Sequence, residues 1–295
     1  MDRPPAALPP PLVERVLGRF GFAAAPAAGL DGLRAVYRAW CARVPFDNVR
    51  KMVALATPET PALPGGHAAD FFDHWLTHGA GGTCWPSSNA LCELLQSLGF
   101  AARRVAGSMR DVGVANHASV KVRIDAGDWV VDSSMLSNIP VPAHDAIFIA
   151  DDPVFAIEIE PAGGTHVLWC DFPPNPTYLP CRLLADPVDH DFYLAAYEAT
   201  RGRSPFNQRL YARRNHPGEM RVLVGNTLHV KTAPRLTSRN LTRLEVVAFL
   251  HEDVGLSEEI VARWIQCGGL EASFAPATGP KPPPVSGTPP SQRVG

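Results

Sequence analysis

The stretch GGTCWPSSNALCELLQSLGF, residues 81–100, places a cysteine directly after two glycines and at the start of a predicted helix. Its leucines at positions 91, 94, 95 and 98 have the spacing of one apolar helix face, and Gly99 ends the pattern. Pro86 suits the first helical turn, where its missing N–H is not needed. Cys84 is therefore predicted at a helix N-terminus, where unpaired N–H groups and the helix dipole favour a thiolate.

Length and charge restrict the class of protein. The chain has 295 residues, with 27 Lys and Arg against 29 Asp and Glu, so its net charge indicates neither nucleic acid nor an acidic membrane surface as a partner. No apolar run approaches the roughly 20 residues that cross a bilayer. Prolines interrupt the first twenty residues, MDRPPAALPPPLVERVLGRF, so no signal peptide is predicted and we expect a cytoplasmic protein.

Cysteine and histidine spacing gives no firm metal site. The six cysteines are widely spaced without any C-x-x-C pair, which argues against a disulfide framework and a zinc ribbon. His74 and His78 have the i, i+4 spacing of metal ligands, with Asp70 one turn earlier. The neighbouring aromatic residues define the buried face of that helix, so these polar groups are predicted on its solvated face. No metal site is predicted.

The patterning divides the chain into four regions and predicts an α+β protein. Residues 1–100 are mostly helical and carry Cys84, and residues 101–188 alternate as strands and turns. Residues 189–277 mix helices with a hairpin in EMRVLVGNTLHVKT. Residues 278–295 are rich in proline and poor in apolar residues, which predicts a disordered tail.

A nucleophilic cysteine needs a base and a group that orients the base, and two residues are candidates. His117 opens the strand HASVKVRI, and Asp132 ends the following strand. If Asp125 lies opposite Asp128 across the turn, both candidates share one face of the sheet. The resulting four-residue offset is about 13 Å, too long for a hydrogen bond unless a bulge intervenes.

Three segments together resemble the arylamine N-acetyltransferase family: VPFDNV at 44–49, GGTCWPSSNALCELLQSLGF, and NHASVKV followed by WVVD. SPFNQRL at 204–210 is similar to its third domain, so the resemblance covers roughly residues 11–270. It implies an N-terminal helical bundle, a central β-barrel and a C-terminal α/β lid around a cysteine-protease-like core. It also implies a catalytic triad of Cys84, His117 and Asp132.

Departures from the family pattern surround this triad. Ala80 replaces the arginine of R-G-G, Pro86 replaces a glutamate, and DSSML replaces the D-V-G-F-G loop. The resemblance thus implies that acyl transfer is retained and that the acceptor pocket is reshaped and roomier. The predicted substrate-binding residues are Phe46, Trp85, Ser133, Ser134 and Met135.

Arginines are frequent between positions 201 and 221. They form either a solvated face or a contact for coenzyme A phosphates or an acidic carrier protein. The predicted donor-binding residues are Arg209, Arg213 and Arg214.

These observations predict an acyltransferase. An acyl group would pass from a CoA or carrier-protein thioester through Cys84 to a small-molecule amine, without a permanently bound cofactor, in a role such as specialised biosynthesis. A cysteine hydrolase or transglutaminase-like amidase with the same triad is one alternative, and only the resemblance disfavours it. An inactive binding relative is the second alternative, which the complete triad disfavours.

Overall fold

Five helices form the N-terminal part of the computed structural model, which describes residues 8–57, 60–175, 177–233, 235–276 and 284–293. Their bounds are Pro10–Phe20 (α1), Leu30–Arg43 (α2), Val49–Ala56 (α3), Ala68–His78 (α4) and Cys84–Ser97 (α5). Aromatic side chains fill the space between them, and Trp40 stacks on Phe71 with ring centroids 5.9 Å apart. Residues Cys84 to Leu95 of α5 are all buried, so this helix runs through the core.

Eight antiparallel strands follow as a nearly closed barrel. The strands are Ala101–Met109 (β2), His117–Ile124 (β3), Gly127–Val131 (β4), Val141–Ala143 (β5), Phe148–Ile149 (β6), Ile157–Ala162 (β7), Thr165–Cys170 (β8) and Leu179–Val188 (β9). They pair in the order β5-β4-β3-β2-β9-β8-β7-β6. Helix α5 packs on β2 and β3, which brings the predicted nucleophile to the strand that begins with His117.

A second sheet and four helices form the remaining part. The elements are His190–Ala199 (α6), Tyr211–His216 (β10), Glu219–Val224 (β11), Thr227–Thr232 (β12), Arg235–Asn240 (β13), Arg243–Ala248 (α7), Glu258–Gln266 (α8) and Gly269–Phe274 (α9), with a π-helical segment at Phe249–Val254. The hairpin predicted in EMRVLVGNTLHVKT is confirmed as β11 and β12. The short strand Phe46–Asp47 (β1) pairs with β10, so this sheet includes a segment from the helical region.

The β3–β4 hairpin is shifted from the predicted register. Ile124 pairs with Gly127, so the turn holds Asp125 and Ala126, one position earlier than the expected turn with Asp125 opposite Asp128. Asp125 adopts the left-handed conformation, with a φ of 51°, which allows the tight turn. Because Val120 pairs with Val131, the position opposite Asp132 is 119 and not 121.

The C-terminal segment differs in part from the predicted disorder. Residues 284–293 lie on the barrel, where the Ser291 backbone N–H donates to Glu158 Oε2 at 2.9 Å. Arg293 forms a two-point salt bridge with Glu160 on the same strand, β7, at 2.6 Å for each bond. These acidic partners on β7 compensate for the low apolar content of the segment. Residues 278–283 and 294–295 lie outside the described residues.

The histidine pair, the cysteines and the apolar segments considered in the sequence can be located in the structure. The rings of His74 and His78 are 4.6 Å apart, and His78 Nδ1 lies 2.9 Å from Ser257 Oγ. Within the described ranges, no three His, Cys, Asp or Glu side chains cluster as metal ligands, and every cysteine is free. No helix in the described part of the chain has the length and apolarity needed to span a bilayer.

Candidate active site

Cys84 is the first residue of α5, and the preceding glycine loop is held by β1. Phe46 forms a bridge with Gly82. The Asp47 carboxylate accepts a hydrogen bond from the Gly81 N–H at 2.7 Å. Gly81 passes so close to Pro45 that a Cβ there would lie 1.8 Å from the Pro45 carbonyl oxygen, so only glycine fits. These contacts hold Cys84 at a helix start, and the residue is only 7% exposed.

His117 and Asp132 lie on one face of the barrel and are hydrogen-bonded. The observed register leaves an offset of two residues between them, about 7 Å along the strand, which the side chains span. His117 Nε2 and Asp132 Oδ2 are 2.7 Å apart. The other carboxylate oxygen accepts bonds from the Ser134 and Met135 N–H groups, at 2.9 Å each. No bulge in this hairpin is needed, in contrast to the sequence expectation.

The imidazole of His117 also interacts with the Cys84 side chain. Burial opposes the charged imidazole, but the Asp132 carboxylate, together with the Cys181 and Cys84 sulfurs, outweighs it and raises the pKa of His117 well above its usual range. Burial likewise opposes the Asp132 carboxylate, yet His117 keeps the pKa of Asp132 below its usual value. These interactions favour an imidazolium that is paired with the Asp132 carboxylate and has the Cys84 side chain as a further neighbour.

Helix α2 supports the carboxylate from behind. The Tyr37 hydroxyl donates to the Asp132 carbonyl oxygen at 2.8 Å. It also accepts hydrogen bonds from the Asp132 and Ser137 N–H groups, at 3.2 Å each. Tyr37 is fully buried, so one phenol from the helical bundle fixes both ends of the loop that carries Asp132.

Residues 133–136 are buried, and polar contacts hold them on two sides. On the α5 side, Ser133 Oγ lies 2.9 Å from Ser87 Oγ and 2.7 Å from Ser88 Oγ. On the β10 side, Arg213 donates to the Ser134 carbonyl at 3.2 Å and the Met135 carbonyl at 2.6 Å. The segment is therefore a part of the core that is held by hydrogen bonds on both sides.

The predicted substrate-binding residues have different surroundings. The Ser133 hydroxyl contacts α5, and Met135 packs in the barrel core, so both have partners inside the protein. Phe46 packs edge-on against Phe206 and Tyr211. Trp85 packs edge-on against Tyr193 at 5.0 Å. Ser134 Oγ is buried and has no hydrogen-bond partner among the described residues, so it is the member of the set left free to bind a ligand.

The predicted donor-binding arginines have different surroundings. Arg213 has no exposed area, and its guanidinium stacks on Phe172 while bonding to the loop carbonyls and Asn215, so all its described contacts lie inside the protein. Arg214 lies on the opposite face of β10 and donates to the Val254 carbonyl at 2.8 Å. Arg209 packs against Gly225. Of the three, only Arg213 is buried, and Arg209 and Arg214 are partly exposed.

A cavity of about 800 Å³ lies away from this site, between α1 and the end of α5. None of the predicted site residues lines this cavity. Its lining is mainly apolar and consists of Leu8, Pro10, Val13, Glu14, Leu17, Phe22, Ala23, Ala24, Ala25, Ser97 and Leu98.

Three supporting residues were not identified from the sequence. Asp47 belongs to the quoted segment VPFDNV, but its role in holding the glycine loop was not predicted. Tyr37 was not recognised because it occupies one of the apolar, buried positions of its helix. Lys51 follows VPFDNV within one helical turn and is buried on α3. Its signal in the sequence was a charged residue among the buried positions of that helix.

Comparisons with known proteins agree with this architecture. Residues 29–144 match the family model for N-acetyltransferase. The structure resembles the arylamine N-acetyltransferase from Mycobacterium abscessus with a TM-score of 0.72 and 21% identity, covering 90% of this chain and 95% of that one. It resembles the Mycobacterium marinum arylamine N-acetyltransferase in complex with CoA with a TM-score of 0.75 and 18% identity, covering 89% and 98%.

A third similar structure is the arylamine N-acetyltransferase from Bacillus cereus described as having a unique Cys-His-Glu catalytic triad, with a TM-score of 0.69 and 15% identity, covering 83% and 98%. A search of curated proteins gave no match. The family match and the shared fold support an N-acyltransferase enzyme. The resemblance seen in the sequence is confirmed: residues 29–144 match the N-acetyltransferase family model, and the chain has the fold of the arylamine N-acetyltransferases at low sequence identity.

Proposed function

We propose that this protein is an N-acyltransferase that works through an acyl-enzyme on Cys84, with an acyl-CoA thioester as donor and an amine as acceptor. The arrangement of Cys84, His117 and Asp132 carries the proposal, since it joins a thiol at a helix start to a carboxylate-bound imidazole. The CoA complex of the Mycobacterium marinum relative supports CoA as the donor.

In the first half-reaction, the Cys84 thiolate attacks the thioester carbonyl. The new S–C bond forms, the bond to the CoA sulfur breaks, and the His117 imidazolium gives its proton to the departing thiolate. Backbone N–H groups of the first turn of α5, where no side chain caps the helix, stabilise the tetrahedral oxyanion. Asp132 holds the tautomer and stabilises the charged ring.

In the second half-reaction, a neutral amine attacks the acyl-enzyme carbonyl. Neutral His117 takes the amine proton, the bond to Cys84 breaks, and an amide leaves while the thiolate–imidazolium pair is restored. The burial of Cys84 and His117 limits access of water and so supports transfer over hydrolysis.

The direct test is intact mass measurement after incubation with acetyl-CoA. Wild type and Cys92→Ala, which alters a buried cysteine of the same helix, should gain one acetyl group, and Cys84→Ala should gain none. Addition of an amine should discharge the adduct faster than buffer alone. Absence of the wild-type adduct, or its presence in Cys84→Ala, contradicts the proposal, and equal discharge in buffer indicates a hydrolase.

A carrier-protein donor and a role in specialised biosynthesis stay predictions. Arg213 is buried and bonded to the loop carbonyls, so it offers no charge to a carrier surface, whereas Arg214 is partly exposed. Acylation rates from matched acyl-CoA and acyl-carrier donors would decide between the two donors, and faster acylation from the carrier would restore the original prediction.

A further inference from the structure

Lys51 on α3 is a buried cation that the mechanism above does not use. Its residue is 3% exposed, and Nζ donates to Thr200 Oγ1 at 2.8 Å. The ammonium also lies 5.7 Å from the centroid of the Tyr197 ring. A hydroxyl and an aromatic face solvate an ammonium only in part, so its burial costs free energy unless an anion is near.

The chain path brings the helix that carries Lys51 close to the loop that precedes the nucleophile. Phe46 bridges Gly82, two positions before Cys84, and α3 begins three residues after Phe46. The groups whose charges act on the ammonium are Cys84, Glu198 and Arg201. Lys51 is therefore within electrostatic reach of the reacting sulfur.

Glu198 already has other partners. One carboxylate oxygen accepts a bond from the Leu63 N–H, and the other forms a salt bridge with Arg201 at 2.9 Å. The positive charge of Arg201 balances this carboxylate. The Cys84 thiolate is thus the anion that remains to balance Lys51.

Acylation changes this balance, because a thioester at Cys84 carries no charge. Burial lowers the pKa of Lys51 to about 8, and the charge of Cys84 is one of the groups that keep it from falling further. In the acyl-enzyme the ammonium has lost that neighbouring anion and is less stable than in the free enzyme. A carboxylate on the substrate would restore the pairing.

We propose that Lys51 is a specificity-determining residue that binds a carboxylate carried by the substrate next to Cys84. The carboxylate belongs either to the acyl group, as in a monothioester of a dicarboxylic acid, or to the amine acceptor. This inference rests on the proposed acyl-enzyme function and names its substrate class.

The experiment has a donor arm and an acceptor arm, applied to wild type, Lys51→Met and Lys231→Met. Lys231 is the matched control because it is also buried but forms a salt bridge with Asp171 at 2.7 Å. The donor arm compares single-turnover acylation of Cys84 by succinyl-CoA and butyryl-CoA. The acceptor arm compares discharge of the acetyl-enzyme by 4-aminobenzoate and 4-aminobenzamide.

Lys51→Met should lower the rate with the charged substrate of one pair by about tenfold or more, and that of its neutral partner by less than threefold. The arm that responds identifies where the carboxylate lies, and Lys231→Met should change neither ratio. Equal losses within both pairs, or no change in either, overturn the inference.

The two levels of the proposal fail separately. If wild type forms no acyl-enzyme with any CoA thioester, the proposed function is wrong. If wild type is acylated and the substrate ratios do not respond to Lys51→Met, only the present inference is wrong. Should Lys51→Met not fold, Lys51→Gln, which keeps a polar contact with Thr200, gives the same comparison.

Discussion

Helix α5 and strand β10 hold the same loop, residues 133–136, from opposite sides and by different means. The helix uses small hydroxyls, with Ser88 bonded to Ser133. The strand uses a buried guanidinium, Arg213, bonded to two loop carbonyls. The helix also carries Cys84, whereas β10 contributes no group to the proposed chemistry. The charged side chain, Arg213, thus only supports the loop, whereas the helix with the small uncharged side chains also carries the proposed nucleophile.

The difference shows that residue chemistry alone does not distinguish a site from its scaffold. Arg213 has the charge expected of a phosphate ligand, but every contact it makes is inside the protein. Cys84 has no charge in its thiol form, but its position at a helix start near His117 is the reason we propose it as the nucleophile. Burial and neighbours decide the role in both cases.

The largest effect is expected at Asp132, the proposed triad residue that directly precedes the loop held by α5 and β10. Asp132→Asn should keep the loop folded, since an amide oxygen still accepts the Ser134 and Met135 N–H bonds, but reduce kcat/KM about 10³–10⁴-fold. Removing the carboxylate also removes what keeps the pKa of His117 high, so the ring should lose its proton at lower pH. Acylation kinetics and an NMR titration of His117 measure both effects, and near wild-type kinetics would exclude the triad.

Arg213→Met tests the β10 side. It leaves two buried carbonyls without their charged donor, so the free energy of unfolding should fall by about 3 kcal/mol. Because the loop carries Asp132, kcat should fall while the KM for acyl-CoA changes little. Urea unfolding and steady-state kinetics provide the measurement. A large rise in the KM for acyl-CoA with unchanged stability would instead support the original donor-binding prediction.

The contrast between α5 and β10 also shows what the sequence could predict. The Leu spacing, Gly-Gly and Pro86 identified the helix of Cys84, because those signals are local. The shared face of His117 and Asp132 followed from strand parity, but the register was two residues off, since Asp125 adopts a left-handed conformation that few residues favour. The partners of Arg213 are carbonyls nearly eighty positions away, a distance over which sequence patterns carry no signal.

Lys51→Met should stabilise the fold, the opposite of Arg213→Met. Burial places the pKa of Lys51 at about 8 in the folded protein against 10.5 for an exposed lysine, which corresponds to about 3 kcal/mol. The lost bond to Thr200 offsets about 1 kcal/mol, leaving a gain of about 2 kcal/mol at pH 7.

The sign of the pH dependence follows from the direction of this shift. Between pH 8 and 10.5 the unfolded chain binds a proton that the folded protein has released, so this group makes wild type more stable as pH rises. The advantage of Lys51→Met should therefore shrink over that range. Urea unfolding of both proteins at pH 7 and pH 10 measures it, and a variant less stable than wild type at pH 7 contradicts the argument.

The smallest effect is expected on the α5 side, at Ser133→Ala. Its two hydroxyl partners keep other acceptors: Ser87 Oγ donates to the Thr83 carbonyl at 2.7 Å, and Ser88 Oγ to the Ala118 carbonyl at 3.0 Å. No buried donor is left unpaired, so the loss of unfolding free energy should be about 1 kcal/mol, and kcat/KM should fall by less than tenfold.

Ser134→Ala is the matched control for that prediction, because the Ser134 hydroxyl is buried without a hydrogen-bond partner in the described part of the chain. Removing it should leave the unfolding free energy unchanged or slightly higher, since no protein bond is lost. A hydroxyl that binds substrate would instead show itself as a raised KM for the acceptor. If Ser133→Ala raises that KM and Ser134→Ala does not, the hydroxyl held by α5 faces the substrate, and the division of the loop into a supporting and a reacting side is wrong.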